Sequence, residues 1–182
     1  MNPQSDILDQ PRSVGATLKS GEGVKVEKSV TINRPVSEVF RYWQTVENLP
    51  RFMKHLVSVT RTAAETTHWI ARTPRGQKVE WVAQTVEEKP DEVISWQSLP
   101  GSDLENAGSV RFKPAPGGRG TIVKVTLKYA PAEGSSGRLF AKFFSRDAKK
   151  EIAQSLFNLR SLLETSEIPT TVGQSRGDRS GK

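Results

Sequence analysis

Between His55 and Ala130 apolar residues recur at every second position in six short runs. Then, from Phe140 to Leu163, they recur at every third or fourth. A period of two puts alternate side chains on one face of a strand, whereas 3.6 puts them along one stripe of a helix. The runs fall near 55–62, 66–73, 78–88, 92–99, 106–114 and 119–130. Turn chemistry separates them: Thr73-Pro74-Arg75-Gly76, Lys89-Pro90-Asp91, Pro100-Gly101-Ser102-Asp103 and Pro114-Ala115-Pro116-Gly117-Gly118. Six consecutive strands with tight connections make an antiparallel meander. Such a sheet has one apolar face to cover, and the stripe Phe140, Phe144, Ala148, Ile152, Leu156, Leu159 and Leu163, running to about Glu164, is long enough to cover it.

A seventh strand precedes the six. Val24, Val26, Val30 and Ile32 share one face, opposite Lys25, Glu27 and Thr31. Asn33-Arg34-Pro35 ends it, with proline suited to a helix first turn, and Val36, Val39, Phe40 and Trp43 continue at helical spacing. A second short helix fits Glu47–Met53, with Pro50 near its start. The class is therefore α+β: a seven-stranded antiparallel sheet, two short helices after strand 1 and a long C-terminal helix. The expected domain is 23–165. Residues 1–22 and 166–182 are too poor in apolar groups to offset ordering entropy and are expected to be disordered.

Composition excludes much chemistry. The 182 residues contain no cysteine and two histidines, which removes thiolate catalysis, disulfides and cysteine zinc sites. No metal site, cofactor or catalytic residue is expected. Residues 1–12 lack the apolar stretch of a secretory signal, and no run approaches a membrane span, so the expected location is cytoplasmic. The two terminal segments carry net charges of −1 and +1, so the whole formal charge of +7 belongs to residues 23–165.

Alternation places Val79, Trp81 and Ala83, Ile94 and Trp96, Val110 and Phe112, and Val123, Val125, Leu127 and Tyr129 on the covered face. In the 66–73 run Trp69 with Ala71 fits this face, and His68 with Ile70 fits nearly as well. Trp69, Trp81, Trp96 and Phe112 beneath Phe140 and Phe144 make either the lining of an apolar pocket or a closed core; periodicity does not separate the two. His55, at a helix-to-strand junction, reads as a surface or rim residue and is the candidate for the mouth of such a cavity. Glu87-Glu88 reads as a solvated edge, and Asp103 with Glu105 as part of a long loop. Gly117-Gly118-Arg119-Gly120 lacks the lysine-serine/threonine ending of a phosphate loop and precedes a strand, so it is a hairpin turn. Arg138, Lys142, Arg146, Lys149 and Lys150 beside phenylalanines fit either a solvated helix face or peripheral contact with an anionic membrane surface. The aromatics lie inward, away from the basic groups, so nucleic acid is not an expected partner.

Several local strings sharpen the picture: Asn33-Arg34-Pro35-Val36-Ser37-Glu38-Val39-Phe40, Val79-Glu80-Trp81, Ile94-Ser95-Trp96, Ala107-Gly108-Ser109-Val110-Arg111-Phe112, Gly118-Arg119-Gly120-Thr121 and Glu167-Ile168-Pro169-Thr170-Thr171. In this order they resemble the bacterial cyclase/dehydrase group of the START-like (SRPBCC) superfamily, related to polyketide cyclases and coenzyme Q-binding START-like proteins, over about residues 24–172. The resemblance implies the helix-grip fold, with the sheet wrapped around the long helix and a cavity between them for a hydrophobic small molecule. Trp69, Trp81, Trp96, Phe112, Val125, Leu127, Phe140, Phe144 and Ala148 are then the expected ligand-binding residues. The short helices and the 100–106 loop are the expected entrance. Three functions fit: a non-catalytic carrier of a lipid, quinone or polyketide-like molecule, a cyclase or dehydratase, and an interaction module with a vestigial cavity. Inward positions that are almost wholly apolar favour the carrier.

Overall fold

The computed structural model describes residues 24–73, 76–131 and 135–169, with the backbone alone at 24, 130, 131 and 135–147. Of the expected terminal segments 1–22 and 166–182, residues 1–22 and 170–182 lie outside the described residues. The meander forms as the alternation requires: β2 (Leu56–Ala63), β3 (Thr66–Arg72), β4 (Lys78–Lys89), β5 (Val93–Ser98), β6 (Leu104–Pro114) and β7 (Thr121–Pro131) pair in sequence, all antiparallel. β1 (Val24–Ile32) pairs with β7, so the sheet order is β1-β7-β6-β5-β4-β3-β2 and the two edges are β1 and β2. The chain must cross from one edge to the other after β1. It does so over the inner face, through α1 (Val36–Gln44), a 3-10 turn (Val46–Asn48) and α2 (Leu49–Phe52).

α1 begins where Pro35 cannot extend the strand; the N–H groups of Glu38 and Val39 donate to the Pro35 carbonyl at 3.1 and 3.2 Å. Its buried residues are Val39, Phe40 and Trp43. α3 (Ser135–Thr165) lies on the same inner face and buries Ala148, Ile152, Leu156 and Leu159 against the sheet. Ser155 and Asn158 are buried beside that stripe. The Asn158 amide donates to the Phe52 carbonyl at 3.0 Å, fastening α3 to the end of α2.

The Asn33-Arg34-Pro35 corner is held by the far end of α3. Glu164 accepts from the Asn33 N–H at 2.7 Å, Arg34 donates to the Glu164 carbonyl at 3.1 Å, and Thr121 Oγ1 donates to the Arg34 carbonyl at 2.8 Å. Ile168, beyond the helix, packs against the core. The β6–β7 connection is the expected hairpin turn, closed by Ala115 N–H donating to the Gly120 carbonyl at 2.8 Å. Gly120 has φ +90°, and a Cβ there would run into the Ile32 carbonyl oxygen.

Two expectations are corrected. The segment 100–106 is not a long loop: β6 already starts at Leu104, and the remainder is a tight turn. Ser102 donates to the Leu99 carbonyl at 2.7 Å, and Asp103 accepts from the Glu80 N–H at 3.3 Å. Glu88 is more than a solvated edge residue, since it accepts from the Gln44 side chain at 2.6 Å.

Candidate functional site

The pairing register decides which aromatics meet. Trp69 stands directly opposite Trp81, with Ala71 opposite Val79, which selects Trp69 with Ala71 as the inward pair and leaves His68 outside, where it meets Glu80 at 3.0 Å. A bulge between Thr85 and Glu87 shifts β5 against β4 and sets Trp96 opposite Thr85. The three indoles then stack: Trp69 lies 5.6 Å from Trp81 and 6.3 Å from Trp96, with interplanar angles of 18° and 21°. Trp69 keeps its indole N–H satisfied by donating to Thr67 Oγ1 at 2.8 Å. Trp96 lies flat because its partner on β6 is Gly108; a Cβ at Gly108 would sit 2.5 Å from the indole ring.

Beneath α3 these rings wall a cavity of about 80 Å³, together with Val125 and Leu127. Of the residues expected from sequence, Trp69, Trp81, Trp96, Val125 and Leu127 therefore come together. Phe112 does not join them. It lies further along β6, where α1 covers the sheet, and packs edge-on against Phe40 at 5.4 Å. Ala148 is buried, but its methyl group does not reach the cavity lining. Phe140 and Phe144 lie outside the described side chains, as do Arg138, Lys142 and Arg146; Lys149 and Lys150 are exposed.

His55 lines the cavity from the α2–β2 junction, where its carbonyl accepts from the Arg72 N–H at 3.0 Å. The residue retains some exposed surface, yet its imidazole is enclosed, and burial lowers its pKa to about 4. Three further polar residues line the same space: Asn106, Tyr129 and Ser155. Burial pushes the Tyr129 phenol up to about 12. The lining is thus less purely apolar than alternation suggested. Asn106, opposite Tyr129, is legible as an inward position from the expected run 106–114, where it is in step with Val110 and Phe112. Ser155 sits one residue from the apolar stripe of α3 and carries no sequence signal of its own. Trp43 and Met53 enter from the crossing helices, where only the tertiary path shows that they reach the sheet.

A second, smaller cavity of about 30 Å³ lies on the same sheet face, against the end of α1. Trp43, Trp69 and Trp96 line both. Among the described residues no three His, Cys, Asp or Glu side chains come together as a metal site, and no helix is long and apolar enough to cross a membrane.

A seven-stranded antiparallel sheet gripping a long C-terminal helix over an aromatic cavity defines a START-like helix-grip protein. The family profile described as polyketide cyclase / dehydrase and lipid transport matches residues 32–157, and the chain belongs to that family. A solved structure from Deinococcus radiodurans is 31% identical, with a TM-score of 0.64, covering 79% of this chain and all of the other. One from Thermus thermophilus is 25% identical, with a TM-score of 0.62, covering 80% of this chain and all of that one. The Zhui aromatase/cyclase from a Streptomyces species shares the fold at 12% identity and a TM-score of 0.59, covering 81% of this chain and all of the other. No curated protein matches the sequence.

Proposed function

We propose that the protein binds a hydrophobic small molecule between the sheet and α3, as a carrier and without catalysis. The observation that carries this reading is the stacked Trp81–Trp69–Trp96 surface facing a cavity. Stacked indoles present a broad, flat, weakly hydrated face, and covering it is worth roughly 25 cal/mol per Å² before ordering costs. Such a face suits a lipid chain, a quinone or a polyketide-like ring system.

One observation favours the cyclase or dehydratase reading: His55, Asn106, Tyr129 and Ser155 share the cavity. Their protonation states argue for binding instead. A general base works best with a pKa near the ambient pH. An imidazole near 4 is neutral and weakly basic at pH 7, and a phenol near 12 keeps its proton. These are hydrogen-bonding groups for an uncharged polar end of the ligand.

Native mass spectrometry of freshly purified protein, with tryptophan fluorescence titrations against quinones and phospholipids, tests the proposal. A co-purifying apolar molecule, or saturable quenching, is expected. Repeated absence of both overturns the carrier. Sustained turnover of a polyketide-like substrate, abolished by His55→Phe, would establish the enzyme in its place.

A further inference from the structure

The two cavities share three lining residues, Trp43, Trp69 and Trp96; the larger, inner one is lined mostly by buried residues, and the smaller, outer one reaches exposed side chains. The outer cavity is rimmed by Gln44, Arg61 and Glu88, which a few side-chain bonds hold together: Gln44 donates to Glu88 at 2.6 Å, and Arg61 donates to the Gln44 carbonyl at 3.3 Å. These bonds join exposed groups and cost little to open.

Size makes movement necessary. Apolar cavities of about 150 Å³ take up benzene, and neither the inner cavity, at about 80 Å³, nor the outer, at about 30 Å³, reaches that volume. A ligand with even one ring therefore displaces part of the wall.

The three indoles differ in how firmly they are held. Trp69 is sandwiched between two rings and hydrogen-bonded to Thr67, and Trp43 packs against Phe52 at 5.4 Å and Phe112 at 6.4 Å. Trp96 is only half-buried and has Trp69 on one side and a bare glycine beneath it. It also stands opposite Thr85 at the β4 bulge, where the strand pairing is already interrupted.

We propose that ligand enters and leaves past Trp96, through the outer cavity and the Gln44–Glu88 rim, with Gly108 as the positioning residue that seats the indole in its closed position. The proposal rests on the carrier reading and specifies its route. Gly108→Ala places a methyl group inside the indole's seat, so Trp96 must swing off it. Thr85 lines the outer cavity and not the inner one, so Thr85→Phe obstructs the outer cavity.

The test uses N-phenyl-1-naphthylamine, an uncharged apolar fluorophore, in stopped-flow association and dissociation with the full chain, folding of each variant being checked by circular dichroism. Gly108→Ala is expected to speed both rates by about tenfold, equivalent to about 1.4 kcal/mol of barrier. Thr85→Phe is expected to slow both by a similar factor, with the equilibrium constant changing less than the rates. Where Gly108→Ala does not fold, Thr85→Phe alone decides. Wild-type rates in every folded variant, with the probe bound normally, overturn the Trp96 route and leave the carrier reading standing. Where the probe does not bind the wild-type protein, a quinone that quenches its tryptophans takes the probe's place in the same measurement; failure of the probe, quinones and phospholipids alike to bind removes the carrier reading, and the route with it.

Discussion

His55 shows how much a single side chain's environment changes what its presence in the chain implies. An exposed histidine titrates at about 6.5 and would switch charge close to neutrality. Enclosed under α3, this one has its pKa lowered to about 4. Because the folded-state value lies below the unfolded one, the unfolded chain takes up a proton first as pH falls. The stability this residue supplies is full above about pH 6.5 and drains away between about 6.5 and 4, by an amount on the order of 3 kcal/mol. NMR titration is expected to show one histidine ring still neutral at about pH 5. Urea unfolding is expected to lose stability over that window in the wild type and much less in His55→Phe. Gly108 is the complementary case. Its missing side chain, not any property of its own, is what allows Trp96 to lie against β6.

The elements are joined by a few bonds that span long stretches of chain, and these set which substitutions matter. Asn158 on α3 holds the Phe52 carbonyl, so Asn158→Ala leaves that buried acceptor without its donor and is expected to cost about 1–3 kcal/mol in chemical denaturation. Asn158→Asp, an acceptor in the same place, is expected to cost no less. Glu164 stands in the last turn of α3, where a carboxylate opposes the helix dipole. Its place is explained by the Asn33 N–H it accepts, which with Arg160 holds its carboxyl below the ordinary range. At the β6–β7 hairpin, Gly120→Ala meets both a positive φ and the β1 backbone. It is expected to destabilise by upwards of about 2 kcal/mol, read as a lower midpoint in thermal unfolding. Gly117→Ala, equally positive in φ but in open space, is expected to cost less.

For the whole molecule, ligand binding and stability are one measurement. A molecule that binds only the folded chain raises its unfolding free energy by about 2.7 kcal/mol at a hundred times its dissociation constant. Added N-phenyl-1-naphthylamine is therefore expected to raise the thermal midpoint with concentration, and Trp69→Ala, which removes the middle of the stack, is expected to abolish that rise. The charge of +7 also acquires a place: Lys25, Lys124, Arg111 and Lys113 stand on the outer face of neighbouring strands β1, β7 and β6, where Lys25 and Lys124 pair with Glu27. Their face points away from the cavity. By itself, the sequence determined the elements, their order and the inward faces of β1 and β4 to β7, because alternation and helical spacing are local; in β3 it left Trp69 and His68 both open, and the pairing register chose. It left open whether those tryptophans fill a core or line a space. It also put Phe112 in the cavity lining, which depends on where the crossing helices lie on the sheet. Only the tertiary structure decided these points. A cavity is the volume that elements far apart in the chain fail to fill, and no local period encodes the distance between α3, the crossing helices and the sheet.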